Sequence, residues 1–270
     1  ILRGRLDVAG LAVLSIASIV GGIAGEVSLK IPFILTAIAY VLTLLVVVTI
    51  KEPPFEPDPD TGSRVSYKRA LQITWQATTE RVNLRYILLY SSIVPIASYL
   101  IASLFFQPFA LSLGVSISFI GVISFGLQMS RMLGAASTQK LTSKLGQRRW
   151  LWVVALVQFV GMISFGLLNS ISGFIFAGLV AFVYAASVPL IEKLTLAESP
   201  GAVRATILSV SSMGHRFLLS IMIYSFGLFS DHTGLPNTFI GIGIFGGLSL
   251  GLILLFWGLA SRKKEPIPVT

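Results

Sequence analysis

Long runs without a charged residue dominate this chain of 270 residues. Residues 8–25, 31–50, 86–130 and 150–191 contain no Asp, Glu, Lys or Arg and are mostly apolar. A helix needs roughly 20 apolar residues to cross about 30 Å of hydrocarbon, because each residue adds about 1.5 Å of rise. Each run is therefore long enough to cross a bilayer, and the two longest are long enough to cross it twice.

The runs divide into eight predicted spans. The run 86–130 divides near Pro108 and Gly114, and the run 150–191 divides at the polar segment 169–173, where turn-forming residues interrupt the pattern. Two further spans flank the segment 230–236. The predicted spans cover residues 8–25, 31–50, 86–110, 115–139, 150–168, 173–192, 205–229 and 237–260. The sequence thus predicts an all-α fold, a polytopic bundle of transmembrane helices.

Composition excludes several classes of protein. Charged residues make up 11% of the chain, against about 25% in soluble domains. The sequence contains no cysteine, which excludes disulfide frameworks, thiolate metal sites and cysteine nucleophiles. Two histidines and the absence of a glycine-rich phosphate loop predict no metal, no cofactor and no enzymatic activity.

The basic residues are distributed asymmetrically between the two sides of the predicted membrane. Of the 20 Lys and Arg residues, Lys30 alone lies on one side, Arg131 and Arg216 lie inside spans, and all others lie on the opposite side. Basic loops mark the cytoplasmic side, so both ends of the chain are expected there, in a multi-pass protein of the cell membrane. Because this charge lies in short loops, nucleic acid is not an expected partner. The expected partner is the lipid bilayer. The protein is expected to be a monomer.

One polar segment, 51–85, separates two groups of spans. Its first part is rich in proline and acidic residues and is predicted to be irregular. Its second part is predicted to be an amphipathic helix along the headgroups, with Tyr67, Leu71, Trp75, Thr78 and Val82 on one face. The predicted organisation is a two-span group at 1–50, a linker at 51–85, a six-span group at 86–261 and a cytoplasmic tail at 262–270.

Short motifs support a family resemblance. Lys144, Gly146, Arg148 and Arg149 match the pattern Asp-Arg-x-Gly-Arg-Arg of a basic loop, and segment 18–25 is glycine-rich. In these motifs and in its organisation the chain resembles helices five through twelve of the major facilitator superfamily of secondary transporters. The resemblance implies a fold of two six-helix bundles, with four more helices ahead of residue 1. It also makes those four loop residues candidates for gating.

Polar residues recur at helical spacing within four of the spans. Hydrocarbon offers such residues no partner, so they are expected to face a shared, hydrated interior. The four spans correspond to helices seven, eight, ten and eleven of the resembled fold, which line its central cavity. The candidate cavity residues are Ser91, Ser98, Tyr99, Ser124, Gln128, Arg131, Tyr184, Ser212, Arg216, Ser220 and Tyr224.

Arg131 and Arg216 stand out because each can reach near the membrane midplane. A charge there costs about 2.5–3.5 kcal/mol on insertion scales, and the nearest acidic candidate partner is Glu192. One interpretation is that the arginines bind an anionic group of a substrate. The other is that they pair with acids on helices outside this sequence or extend to water. His215 is interpreted as a hydrogen-bonded structural residue, with proton coupling as the alternative.

The function predicted from these features is secondary transport of a small molecule by alternating access, with efflux as one direction and a proton or ion as coupling partner. One alternative is an organic or inorganic anion transporter that uses the intramembrane arginines. The others are a polytopic membrane enzyme and a membrane scaffold that does not transport.

Overall fold

A computed structural model describes residues 2–50 and 67–262, and within them the backbone is helical almost throughout. Its ten α-helices are α1 (Leu2–Val27), α2 (Lys30–Thr49), α3 (Tyr67–Glu80), α4 (Val82–Leu100), α5 (Phe106–Ser112), α6 (Ile117–Leu145), α7 (Gln147–Leu168), α8 (Phe174–Glu198), α9 (Arg204–Thr233) and α10 (Leu235–Arg262). A π-helical turn, Ile101–Phe105, joins α4 to α5. The irregular part of the predicted linker, 51–66, and the tail residues 263–270 lie outside the described residues.

The described residues contain eight helical segments long and apolar enough to cross a membrane. α4, the π-helical turn and α5 together form one of them, and α3 is not among them. The predicted fold class and the eight predicted spans are thus confirmed. The helices extend beyond the uncharged runs; α6, for example, continues past Lys140 to Leu145. Long basic side chains at a helix end can reach the interface, so they do not end the helix.

The predicted basic loop between the fourth and fifth spans is much shorter than expected. Lys144 lies in the last turn of α6, Arg148 and Arg149 lie in the first turn of α7, and Gly146 alone links the helices. Gly146 has φ 80° and ψ 150°, a conformation open essentially to glycine only. The four gating candidates therefore lie at one tight helix junction, and all four are exposed.

A cluster of phenylalanine rings fills one half of the helix bundle. The ring centroid of Phe165 lies 5.1 Å from those of Phe109 and Phe174 and 4.5 Å from that of Phe239. All four side chains are buried. Lipid removes the hydrophobic driving force between helices, so close packing of this kind holds α5, α7, α8 and α10 together.

Polar contacts add links between α4 and its neighbours. Tyr90 on α4 donates its hydroxyl to the carbonyl oxygen of Leu151 at 3.0 Å, and Gln158 on α7 donates Nε2 to the carbonyl of Val94 at 2.8 Å. At the start of α4, the Asn83 amide donates to Glu198 of α8 and accepts from the indole of Trp257 on α10. These bonds tie four helices of the six-span group together.

The first two helices are attached differently from the other six spans. α1 packs along α6, where Gly22 and Gly121 meet; a Cβ added to Gly22 would lie 2.9 Å from the Cα of Gly121. α2 has no buried residue. The pair is therefore joined to the larger group mainly along the α1–α6 interface, which includes the Gly22–Gly121 contact.

The amphipathic helix predicted in the linker forms as α3, and a face other than the one predicted to lie along the headgroups packs against the bundle. Ala77, Thr74 and Ile73 turn toward the bundle, where Ala77 and Ile73 pack beside Leu84 of α4. Trp75, predicted to lie on the apolar face, is 73% exposed. Small residues let α3 lie against the bundle, which leaves Trp75 available to the membrane interface.

α6 and α8 approach closely at Gly134, so this position is sensitive to an added side chain. A Cβ at Gly134 would overlap the backbone carbonyl of Phe182, whereas a Cβ at Gly126 on the same helix has nothing within 4 Å. Overpacking costs about 1–3 kcal/mol, so Gly134→Ala is expected to lower the thermal unfolding temperature of the detergent-solubilised protein. The control Gly126→Ala should leave it unchanged or raise it, because Ala favours a helix. Equal unfolding temperatures for the two variants would contradict the α6–α8 contact.

Candidate functional site

Polar side chains line three neighbouring cavities between the helices and a groove along α9. The cavities adjoin, because Arg131 borders two of them and Tyr184 and Glu192 border two. We call them the polar cavity, the middle cavity and the histidine cavity. Each is defined by its residues below.

The polar cavity lies between α1, α4, the π-helical turn, α6 and α8, and has a volume of about 200 Å³. Arg131 reaches it from the middle of α6, fourteen residues from either end of that helix. Ser124 and Gln128 lie seven and three residues before Arg131 and share its helical face. The polar lining residues are Ser18, Ser98, Ser124, Gln128 and Arg131, and the others are apolar.

Hydrogen-bond donors in the polar cavity outnumber the partners that the protein supplies. Ser98 is only 2% exposed, and its hydroxyl has no hydrogen-bond partner among the described residues. The Arg131 guanidinium makes one hydrogen bond with a described residue, a 3.5 Å contact from Nη1 to Oε1 of Gln128. A buried donor without a partner costs about 1–3 kcal/mol, so this arrangement calls for an acceptor from outside the chain.

The π-helical turn lies next to Ser98. Its closing hydrogen bond runs from the N–H of Phe106 to the carbonyl of Ile101, five residues back. Such turns insert a residue into a helix and are frequent at functional sites. Ile101, Ala102 and Phe106 line the polar cavity, so the wide turn forms part of its wall. Sequence spacing alone contains no signal for it.

The middle cavity, about 430 Å³, lies on the other side of Arg131 and is mostly apolar. Its polar lining residues are Arg131 on α6 and Tyr184 and Glu192 on α8. The Arg131 guanidinium carbon lies 5.5 Å from the centroid of the Tyr184 ring. This cation–π contact stabilises the charge and fixes the side chain between the two cavities.

The histidine cavity, about 230 Å³, is lined by Tyr184, Glu192, His215 and four hydroxyl residues, Ser91, Thr195, Ser211 and Ser212. The hydroxyls of Ser91 and Ser211 lie 2.9 Å apart. His215 Nδ1 lies 3.3 Å from the carbonyl oxygen of Ser92, and its ring meets Tyr99 edge-on at 6.1 Å. His215 thus has the backbone contact expected of a structural residue and also borders the histidine cavity.

The groove along α9 contains the other arginine. Ser209, Ser212, Arg216 and Ser220 share one helical face, as their spacing predicts, and border an open groove of about 590 Å³. Tyr224 is 70% exposed and lies beyond the groove. The Arg216 guanidinium makes no hydrogen bond or ion pair with any described residue. This face opens outward from the described helices.

The candidate residues therefore do not form one cavity. Ser98, Ser124, Gln128 and Arg131 meet in the polar cavity, Ser91 and Tyr184 meet in the histidine cavity with Ser212 at its edge, and Arg216 and Ser220 lie in the groove. Sequence reasoning did not include Ser18 of α1 among the cavity candidates. The available signal was its hydroxyl, four residues before Gly22 on the helix face that meets α6.

No protein-family model matches the chain, and no match was found among curated proteins. A solved structure, the E. coli fucose:proton symporter, matches over 86% of this chain with a TM-score of 0.55 and 17% sequence identity. The match shows that the chain has a fold similar to that of this symporter. The chain spans 55% of the length of the symporter. Within the described part of the chain, no group of three or more Asp, Glu or His residues could hold a metal ion.

The Ser91–Ser211 contact predicts a specific cross-link. Their oxygens are 2.9 Å apart, so cysteines at both positions should form a disulfide that joins α4 to α9. Oxidation of Ser91→Cys/Ser211→Cys should leave no thiol at these positions for a maleimide-linked polymer, as seen by a gel shift. The control pair is Ser98→Cys/Ser211→Cys, since Ser98 lies about 10 Å further along α4 and borders another cavity. Efficient cross-linking of the control pair would contradict the placement of these side chains.

Proposed function

We propose that the chain is part of a secondary transporter that moves a small molecule across the membrane by alternating access. The observation that carries the proposal is the polar cavity, which is walled by α1 on one side and by α4, α6 and α8 on the other. In transporters of this kind, substrate sites lie near the midplane, and two groups of helices rock around them. The position of Arg131 midway along α6 supports a site at this depth.

The packing supports a division into two moving groups. α4 is tied to α7, α8 and α10 by hydrogen bonds, whereas α1 meets α6 across the Gly22–Gly121 contact. The two groups meet mainly along this one helix pair, where small residues let the backbones approach closely. Rocking at this contact would open the polar cavity, because Ser18 moves with α1 while Ser98, Ser124 and Arg131 move with the larger group.

The proposal includes the cell membrane as location, both described ends on the cytoplasmic side, and a coupling proton or ion. The charge asymmetry of the loops supports the orientation. The similar solved structure is a proton symporter, which supports coupling to a proton. The anion-transport alternative is favoured by one observation, the Arg131 guanidinium at the polar cavity. A membrane enzyme or a scaffold would show no solute flux.

The test joins the two groups across the polar cavity. In the full-length protein, Ser18→Cys/Ser124→Cys is reconstituted into liposomes and treated with a short bis-methanethiosulfonate. Solute flux is measured with a labelled panel of small sugars and organic acids against protein-free liposomes. The cross-link is expected to abolish flux by the full-length protein, and reduction with dithiothreitol should restore it, because alternating access requires Ser18 and Ser124 to separate.

The control is a cross-link inside the larger group. The disulfide of the variant Ser91→Cys/Ser211→Cys joins α4 to α9. This variant should keep most of its flux if the larger group moves as a unit. Full flux through cross-linked Ser18→Cys/Ser124→Cys would contradict alternating access around the polar cavity. Absence of flux for every solute would favour the scaffold or enzyme alternatives.

A further inference from the structure

We infer that the polar cavity binds a small organic anion that carries hydroxyl groups, such as a hydroxycarboxylate or a sugar acid. Its carboxylate pairs with Arg131, and its hydroxyls bond to Ser98, Ser124 and Gln128. The inference rests on the proposed function only where it calls this ligand a transported substrate. Binding itself depends on the cavity alone.

The charge of the cavity favours a monoanion. Among the described residues that line it, Arg131 is the single charged one. Arg131 forms no ion pair with a described residue, and its contacts are the long bond to Gln128 and the ring of Tyr184. A guanidinium at membrane depth requires compensation, and one carboxylate supplies it through two parallel hydrogen bonds. One fixed charge matches one carboxylate better than a doubly charged phosphate.

The hydrogen-bonding groups favour a ligand rich in oxygen. The Arg131 guanidinium has five N–H donors, of which one makes a 3.5 Å bond to Gln128. The Ser98 hydroxyl makes no hydrogen bond to a described residue, and the Ser124 hydroxyl and the Gln128 amide also line the cavity. The buried Ser98 hydroxyl can both donate and accept, as the hydroxyls of a ligand require. An aliphatic acid would satisfy Arg131 and leave these other groups unpaired.

The dimensions favour a small ligand. At about 200 Å³, the polar cavity lies below the range of about 300–1,000 Å³ typical of sites for drug-sized ligands. Its remaining walls are Ile101, Ala102, Phe106, Leu127, Ala177 and Ala181, which offer contact to the carbon backbone of the ligand. A hydrophobic drug would fit the middle cavity in volume but would leave the donors of the polar cavity without acceptors.

Arg216 provides the matched comparison. Its guanidinium also lies within a span, but it borders an open groove with Met213 and Phe217, and it shares no cavity with Arg131. If any intramembrane arginine attracted anions equally, replacing Arg216 would have the same effect as replacing Arg131. The inference assigns anion selectivity at the polar cavity to Arg131 alone.

The experiment measures the charge preference of the cavity with two small thiol reagents of opposite charge. Ser124→Cys is introduced into the full-length protein with any cysteine outside this sequence replaced by serine. Its labelling rates with the anionic sulfonatoethyl and the cationic trimethylammonioethyl methanethiosulfonates are each normalised to a free thiol. The anionic reagent is expected to react roughly tenfold faster, which corresponds to about 1.4 kcal/mol. Arg131→Gln should bring the ratio to one, and Arg131→Lys should restore part of it.

Arg216→Gln in the same background should leave the ratio unchanged. A ratio that does not respond to Arg131→Gln, or that responds equally to Arg216→Gln, overturns the inference. So does a thiol that neither reagent labels, because the cavity would then be closed to solutes. Ser98→Cys gives a second reporter if Ser124→Cys does not yield folded protein.

Protection from labelling then tests the hydroxyl groups. D-Glycerate and D-gluconate should slow labelling of Ser124→Cys, whereas hexanoate, which lacks hydroxyls, and sorbitol, which lacks the charge, should protect weakly. Equal protection by sorbitol or by hexanoate overturns the assignment. Protection by the hydroxy acids without any solute flux would support the binding site and contradict transport. Flux of neutral sugars that is unaffected by Arg131→Gln would support transport and contradict this inference.

Discussion

Hydrocarbon offers no hydrogen-bond partner to a polypeptide, and this constraint governs the whole molecule. Backbone groups must bond within their own helix, so the spans between Leu2 and Arg262 are helical almost throughout. Polar side chains must find partners among themselves or collect around internal cavities. Several hydroxyl, amide and guanidinium groups of α4, α6 and α8 follow this rule, because they line cavities between these helices.

The same constraint gives a meaning to polar groups that remain without partners inside the protein. Some buried groups have partners within the fold: the Tyr90 hydroxyl bonds to Leu151, and Nε2 of Gln158 bonds to Val94. Around Arg131 the donors exceed the acceptors, and the nearby helix widens into a π-helical turn. Local departures from the rules of packing and pairing coincide here, which is typical of functional sites.

Sequence reasoning worked best where one-dimensional properties decide the structure. The length of each apolar run predicted its span, and helical spacing placed Ser124, Gln128 and Arg131 on one face. It worked less well where neighbouring helices decide. From the sequence, Arg131 and Arg216 can each reach near the midplane, yet one borders two cavities between helices and the other borders an open groove. Spacing predicts the face of α3 that lies along the headgroups and includes Trp75, but it gives no sign that Ala77 and Ile73 contact the bundle.

The sequence by itself determined that the chain crosses a bilayer eight times, because length and hydropathy act on each segment independently of its neighbours. It also determined which polar residues share a helix face, since that depends only on the 3.6-residue period. Which faces meet was decided by the tertiary structure. The Gly22–Gly121 contact brings Ser18 to the polar cavity, and Tyr184 comes to stack on Arg131 from a helix more than fifty residues away in the chain. Such pairings depend on the packing of all the helices at once, and no local pattern contains them.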